Sequence, residues 1–217
     1  MPTTAAVETP YEQFATIEQQ HEAARLGMWF FLATEVLIFG GIFTDFTVYH
    51  MLYPKVFAEA SRHLAWQLEA YNTVILLTGG ATMAFVDYYA ERQKRAAILW
   101  FLAATILSGI AFLTLKGIEY HGDYTDGKVP FIPGGYSYAG LDPQHAKLFF
   151  NFYFLLTGLH AFHMLIAIAL LVLLWVRTWR WRQPFAVKRM IIIVGMFWAF
   201  IDVVWLFIYN TLYLINR

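Results

Sequence analysis

Four ionisable side chains sit near the middle of long apolar runs: Glu35, His160, His163 and Asp202. His160 and His163 are three residues apart, so they share one helix face. Three chemistries are open to such a pair: metal or haem ligation, proton handling, and buried hydrogen bonding. Haem held on both faces needs ligands from opposite sides, which one helix cannot supply, and no other apolar run holds a histidine at this depth. A carboxylate-bridged di-iron centre uses Glu-x-x-His on paired helices, and the apolar runs contain no such pattern. The chain has no cysteine, which excludes disulfides, thiolate zinc sites and cysteine-ligated iron–sulfur clusters. Buried hydrogen bonding is therefore the favoured reading of the two histidines. For Glu35 and Asp202 two readings stand side by side. An intramembrane carboxyl marks a functional site by default. It also fixes helix register by bonding to His160, His163 or a tyrosine.

The elements that carry these residues follow from composition. Of 217 residues, 59% are hydrophobic and 14% charged, where a soluble domain carries roughly a quarter charged. Lys+Arg and Asp+Glu balance at 15 each, so there is no basic field to attract nucleic acid. Five apolar runs span about 26–49, 68–89, 96–119, 147–176 and 187–214. Each is near or above the ~20 residues a helix needs to cross a bilayer. None alternates as a barrel strand does, and in hydrocarbon the backbone must satisfy itself. The sequence predicts an all-α integral membrane protein, a bundle of five transmembrane helices in one domain over residues 25–217. A division into two sub-bundles, if present, falls at the long third-to-fourth loop. Residues 1–24 form a polar, acidic tail without the pattern of a secretory signal. Within it Tyr11, Phe14 and Ile17 recur at helical spacing, so a short surface helix and a mobile tail are both open.

Basic residues set the expected orientation. The loop after the second span holds Arg92, Lys94 and Arg95, and the loop after the fourth holds Arg177, Arg180, Arg182, Lys188 and Arg189. Both are predicted to be cytoplasmic. The third-to-fourth loop is acidic on balance and is predicted to lie outside, with the N-terminus cytoplasmic and the C-terminus outside. The five basic residues after the fourth span are also candidate contacts for anionic lipid head groups. By depth, Glu35, His160 and Asp202 fall near mid-bilayer, Asp87 near the inner end of its helix, and Lys116, Glu119 and His121 at the outer end of the third span. Glycines at 40–41, 79–80, 109, 158 and 195 are read as points of close helix approach.

Four stretches, in order and one per helix, carry a family likeness: LGMWFFLATEVLIFGGIF (Leu26–Phe43), KGIEYHG (Lys116–Gly122), LLTGLHAFHMLIA (Leu155–Ala167) and FWAFIDVVWLFIY (Phe197–Tyr209). They resemble subunit III of haem-copper respiratory oxidases, and the likeness runs from about Arg25 to Leu214. The resemblance implies a five-helix bacterial form that lacks the first two helices of the longer form. It implies a non-catalytic subunit that binds no haem or copper, packs on catalytic subunit I, holds phospholipids in a cleft, and supports proton uptake and sustained turnover. Haem and copper belong to the partner subunit. Subunit II, small subunits and a respiratory supercomplex are further implied partners, and a bacterial inner membrane the implied location. Glu35, Glu119, His160, His163 and Asp202 match recurrent polar positions of the family.

One position departs from the pattern. Ala199 stands where the family usually has a histidine, between Trp198 and Phe200. The contact made by that histidine is missing or replaced. A cytochrome c oxidase, a quinol oxidase and a nitric oxide reductase therefore all remain open as the parent complex. Read from the residues alone, a haem-binding membrane cytochrome using His160 or His163 and a proton-coupled carrier using Glu35 and Asp202 are the competing accounts.

Overall fold

The computed structural model describes residues 12–180 and 184–214. The first helix, α1, covers Ile17–Leu52. It starts where Thr16 Oγ1 accepts from the Gln19 amide at 3.1 Å, which satisfies an orphan N–H of the first turn. Glu18 adds a negative charge at the positive end of the helix dipole. Much of the polar stretch before residue 26 is thus the leading turns of α1 rather than a separate element. Phe14 precedes the helix, and Tyr11 lies outside the described residues. At 36 residues, or ~54 Å, α1 exceeds the ~30 Å hydrocarbon layer.

A short helix that the sequence reading did not anticipate, α2 (Pro54–Arg62), follows at once. Pro54 opens it with a pre-set φ and no N–H to satisfy. Val56, Phe57, Ala60 and Ser61 turn one face inward, while Lys55 and Arg62 stay exposed. The remaining elements are α3 (Trp66–Glu91), α4 (Arg95–Thr125), α5 (Pro143–Arg180) and α6 (Pro184–Tyr209). A π-helical turn, Asn210–Leu214, closes the described chain. Five helices are long and apolar enough to cross a membrane.

Helices α3, α4, α5 and α6 pack in sequence around a common core, and α3 returns to α6 to close the ring. The core is dominated by large side chains such as Phe112, Tyr153, Trp198 and Trp205. Trp205 satisfies its indole N–H on Thr73 Oγ1 at 3.0 Å. The helix outside the ring is α1, which leans on α5 and α6. There is no division at the α4–α5 loop, because α4 and α5 pack directly. Large apolar side chains such as Trp29, Leu37, Trp100, Leu107, Phe162 and Phe207 point outward. A soluble monomer rarely exposes so much apolar surface, and in a bilayer it faces lipid.

The bundle has two unlike ends. One gathers the start of α1 with the α3–α4 and α5–α6 connections, and is basic. There Arg95 donates to the Thr178 carbonyl at 3.1 Å and to the Trp179 carbonyl, tying α4 to the end of α5. The other, the loop end, carries α2, the α4–α5 loop and the π turn. Of the glycines read as packing points, Gly79, Gly80, Gly109 and Gly195 do face another helix closely. A Cβ at Gly109 would lie 3.1 Å from Ile168 and from Trp198. Gly40 and Gly41 face open space, so nothing among the described residues uses their small size.

Candidate functional site

The inner stripe of α1 runs Leu32, Glu35, Phe39 and Phe46, at helical spacing. It places Glu35 against α5, where Glu35 Oε2 lies 2.9 Å from His163 Nε2. His163 Nδ1 is 2.8 Å from the Leu159 carbonyl one turn earlier. A carbonyl only accepts, so Nδ1 carries a proton there. The Nε2–Oε2 contact needs a second proton, supplied by one partner or the other. Phe39 and Phe197 rings pack around His163, with centroids 5.5 and 6.2 Å away.

A second polar centre lies nearer the loop end, between α3, α4 and the π turn. Lys116 Nζ contacts Glu119 Oε2 at 2.5 Å, the Tyr213 hydroxyl at 3.0 Å and Glu69 Oε1 at 3.3 Å. The last is an ion pair without good hydrogen-bond geometry. Tyr213 in turn donates to Glu119 Oε1 at 3.0 Å, which the π turn makes possible by carrying its side chain inward. Asn72 donates to Glu69 Oε2 at 3.3 Å. The ammonium of Lys116 also sits 4.9 Å from the Trp205 ring, a cation–π distance.

One helical turn further along α4, Asp123 accepts from the Tyr153 hydroxyl at 2.8 Å and from Lys128 Nζ at 3.1 Å. Lys128 also donates to Asp126 and to the His63 carbonyl, so it fastens the loop to the end of α2. Burial works to lower the Lys128 pKa; its bonds to Asp126 and Asp123 outweigh that and raise it overall.

The other residues singled out from the sequence are placed differently. His160 is 1% exposed, lies between the Phe112 and Trp205 rings, and has no hydrogen-bond partner on either ring nitrogen. Asp202 is 8% exposed and its Oδ1 has no partner. The Trp198 indole is within electrostatic reach of Asp202, but its N–H makes no hydrogen bond of acceptable geometry. His121, grouped with Lys116 and Glu119 from the sequence, is exposed and stands apart. It is two residues beyond Glu119, about 200° round the helix, and so faces away. Among the described residues no group of three or more His, Asp or Glu side chains is arranged to hold a metal ion.

The basic residues divide in two. Arg177 and Arg180 are exposed at the end of α5, and Arg182 lies outside the described residues. Lys188 and Arg189, at the start of α6, line a pocket of about 360 Å³ together with His21 and Arg25 of α1. Next to it on the same helix pair runs an apolar groove of about 730 Å³, lined by Trp29, Val36, Met196 and Phe200 among others. Ala199 is exposed and lines both this groove and a second one between α6 and α3.

The sequence reading missed Glu69, Asn72, Tyr153 and Tyr213 in the loop-end centre, and His21 and Arg25 in the basic pocket. A depth count would have found Glu69, which lies at the same level of α3 as Lys116 does of α4. Tyr213 gave no signal, because only the π turn brings it inward.

Comparison with known proteins agrees with this architecture. The family model described as "Cytochrome c oxidase subunit III" matches residues 6–216. The chain is 26% identical over 193 residues to subunit 3 of the cytochrome bo(3) ubiquinol oxidase of Pseudomonas putida, covering 88% of this chain and 85% of that one. It is 26% identical over 203 residues to cytochrome c oxidase subunit 3 of Alkalihalophilus pseudofirmus, covering 93% and 90%. Subunit 3 of the Triticum aestivum cytochrome c oxidase is 27% identical over 213 residues, 92% of this chain and 73% of the longer plant protein. With five membrane-crossing helices in place and the family match running over nearly its whole length, this chain belongs to the cytochrome c oxidase subunit III family.

Proposed function

We propose that this chain is the non-catalytic subunit III of a terminal cytochrome c oxidase, seated in a bacterial inner membrane with its basic end in the cytoplasm. It packs on the catalytic subunit I, beside subunit II and any small subunits, within whatever respiratory supercomplex the enzyme joins. Reduction of dioxygen at haem and copper takes place in the partner. The observation that carries this reading is how the bundle uses its intramembrane polar groups. Glu35 of α1 closes on His163 of α5 and Glu69 of α3 closes on Lys116 of α4, each across a helix–helix boundary, and Glu119, beside Lys116 on α4, accepts from Tyr213 of the π turn. Such closed pairs lock helices in register. Support for proton uptake follows indirectly: a rigid α1, held to α5 by Glu35 and His163, keeps the partner's entry region in shape.

The pocket of His21, Arg25, Lys188 and Arg189 suits the phosphate of an anionic phospholipid. The apolar groove on the same pair of helices suits its acyl chain. Arg177 and Arg180 add positive charge at the same end of the bundle.

Purification in gentle detergent through a tag on this chain tests the reading. It predicts stoichiometric recovery of a haem-copper subunit I with its haem spectrum, and enrichment of anionic phospholipid that falls when Arg25→Gln and Lys188→Gln are combined. Recovery of this chain without any oxidase subunit would overturn it. The likeness to the Pseudomonas putida subunit supports a quinol oxidase as the second reading. The identity of the co-purifying subunits and the electron donor the complex accepts, a cytochrome c or a quinol, decide between them.

A further inference from the structure

The groove between α3 and α6 holds about 630 Å³ and opens sideways toward the bilayer. Small residues line both walls at four-residue spacing: Gly80 and Ala84 on α3, Gly195 and Ala199 on α6. Spacing of this kind lets another backbone approach closely. Part of it already serves the chain itself, since a Cβ at Gly195 would lie 3.3 Å from Met83. Ala84 and Ala199, by contrast, are exposed. On α6 the lining runs from Ile191 to Leu206. At 1.5 Å per residue that is ~22 Å, most of the ~30 Å hydrocarbon layer. A trough so long and narrow takes a helix or an acyl chain, and a compact ligand would leave most of it bare.

Asp202 decides between the two. Its carboxyl lines the trough near mid-bilayer, is more than nine-tenths buried, and has an Oδ1 with no partner. Gly80 is the residue that leaves it room, since a Cβ there would lie 2.5 Å from Oδ2. A buried carboxyl oxygen without a donor is unfavourable. An acyl chain has no donor, and a lipid head group stays at the interface. The Trp198 indole N–H, one turn away and itself unpartnered, reaches Asp202 only in poor geometry, so a well-placed donor at this depth has to be carried in on a transmembrane segment. Asp87, at the basic end of the same trough, is exposed and forms no ion pair among the described residues. The complementary surface therefore has small residues along one face, a hydrogen-bond donor at mid-bilayer and a cation or further donor one end along.

We propose that the α3–α6 trough is the docking seat for one transmembrane helix of a neighbouring oxidase subunit, which packs on Gly80, Ala84 and Ala199 and donates a hydrogen bond to Asp202. This rests on the reading of the chain as an oxidase subunit and says which face it uses. The lipid groove lies on the other flank of Ala199 and shares Met196, Ala199 and Val203 with the trough.

The test uses the assembled complex. A photo-reactive benzoyl-phenylalanine is placed at position 77 or 84 of the tagged chain, both of which line this trough and not the lipid groove, membranes are irradiated, and the products are identified by mass spectrometry. Both positions are expected to mark the same transmembrane helix of one haem-copper oxidase subunit. Asp202→Leu provides a second readout, with opposite signs in two assays. Because Asp202 makes no hydrogen bond of good geometry among the described residues, the variant should unfold in detergent at the same temperature as the unaltered chain or higher. Recovery of the marked subunit should meanwhile fall roughly tenfold, which corresponds to ~1.4 kcal/mol. Asp202→Asn, which still accepts, should retain most of it. Adducts to lipid alone, or wild-type recovery with Asp202→Leu, overturn the docking seat. If the unaltered chain recovers no oxidase subunit, the accessory-subunit reading itself fails; if it does and the trough positions mark none of them, only the docking seat fails.

Discussion

Replacing Lys116 by methionine is the sharpest test of how the bundle is held together. The side chains of Lys116 and Glu69 are 3% and 0% exposed, and that of Glu119 is 2% exposed. Methionine keeps the apolar stem and removes the ammonium. It leaves two carboxyls close together in a buried site, and takes a hydrogen bond from Tyr213. Breaking a buried pair by removing one partner costs about 3–5 kcal/mol, whereas replacing all of its members by neutral groups is often close to neutral. Lys116→Met alone should therefore destabilise by about 3–5 kcal/mol. The triple variant Glu69→Gln, Lys116→Met, Glu119→Gln should regain most of that loss. Reversible unfolding of the purified chain in mixed detergent micelles, followed by tryptophan fluorescence, measures both. A loss below ~1 kcal/mol for the single change, or a triple variant no more stable than the single, would refute the assignment of this cluster as a closed, mutually compensating centre.

Three further outcomes follow. In a double-mutant cycle, Glu35→Gln and His163→Ala should show a coupling of roughly 0.6–1.7 kcal/mol, the range for interhelical hydrogen bonds in lipid, and the cross-peaks between α1 and α5 should weaken in either single variant. Gly109→Val should destabilise by about 1–3 kcal/mol in the same unfolding assay, since even a Cβ meets Ile168 and Trp198 at 3.1 Å. Asp142 bonds the His145 ring at 2.6 Å and its amide at 3.3 Å, and the ring contact above all holds the carboxyl below its ordinary value. A depressed carboxyl pKa gives support that is present above the ordinary value near 3.8 and is lost as pH falls through the lowered one. Protection in the first turn of α5, taken as the exchange rate relative to the intrinsic rate at each pH, should therefore fall on acidification below that point, and should be low at every pH in Asp142→Ala.

Much of the fold was legible because lipid imposes simple rules. Length and apolarity alone placed five helices, since no other backbone form closes its hydrogen bonds within each of these runs. Their ends were harder. Polar residues continue α1 back to Ile17 and α4 on to Thr125, because outside the hydrocarbon a helix needs only caps and propensity. Helix α2 escaped because nine residues are too few for a periodicity search, although Pro54 and the Val56–Phe57–Ala60 face were there to read.

The site was legible where depth sufficed and illegible where rotation mattered. Glu35 and His163 were expected to meet a partner, and they meet each other. His160, expected to bond in the same way, packs between aromatic rings instead. Glu119 was singled out for its family likeness, yet its setting depends on Tyr213, which only a π turn brings within reach. The basic residues after α5 were read as one group, whereas the fold splits them and recruits His21 and Arg25 from the far end of the sequence.

The central claim is that this subunit supports catalysis without performing it. The most direct measurement compares the oxidase complex with and without this chain, recording the initial rate of dioxygen uptake per haem and then the decay of that rate during turnover. The account predicts an initial rate close to that of the complete complex, a faster decay without the subunit, and recovery of the lifetime when the purified chain is added back. Loss of the initial rate at unchanged haem content would place the chemistry partly in this chain and contradict the account.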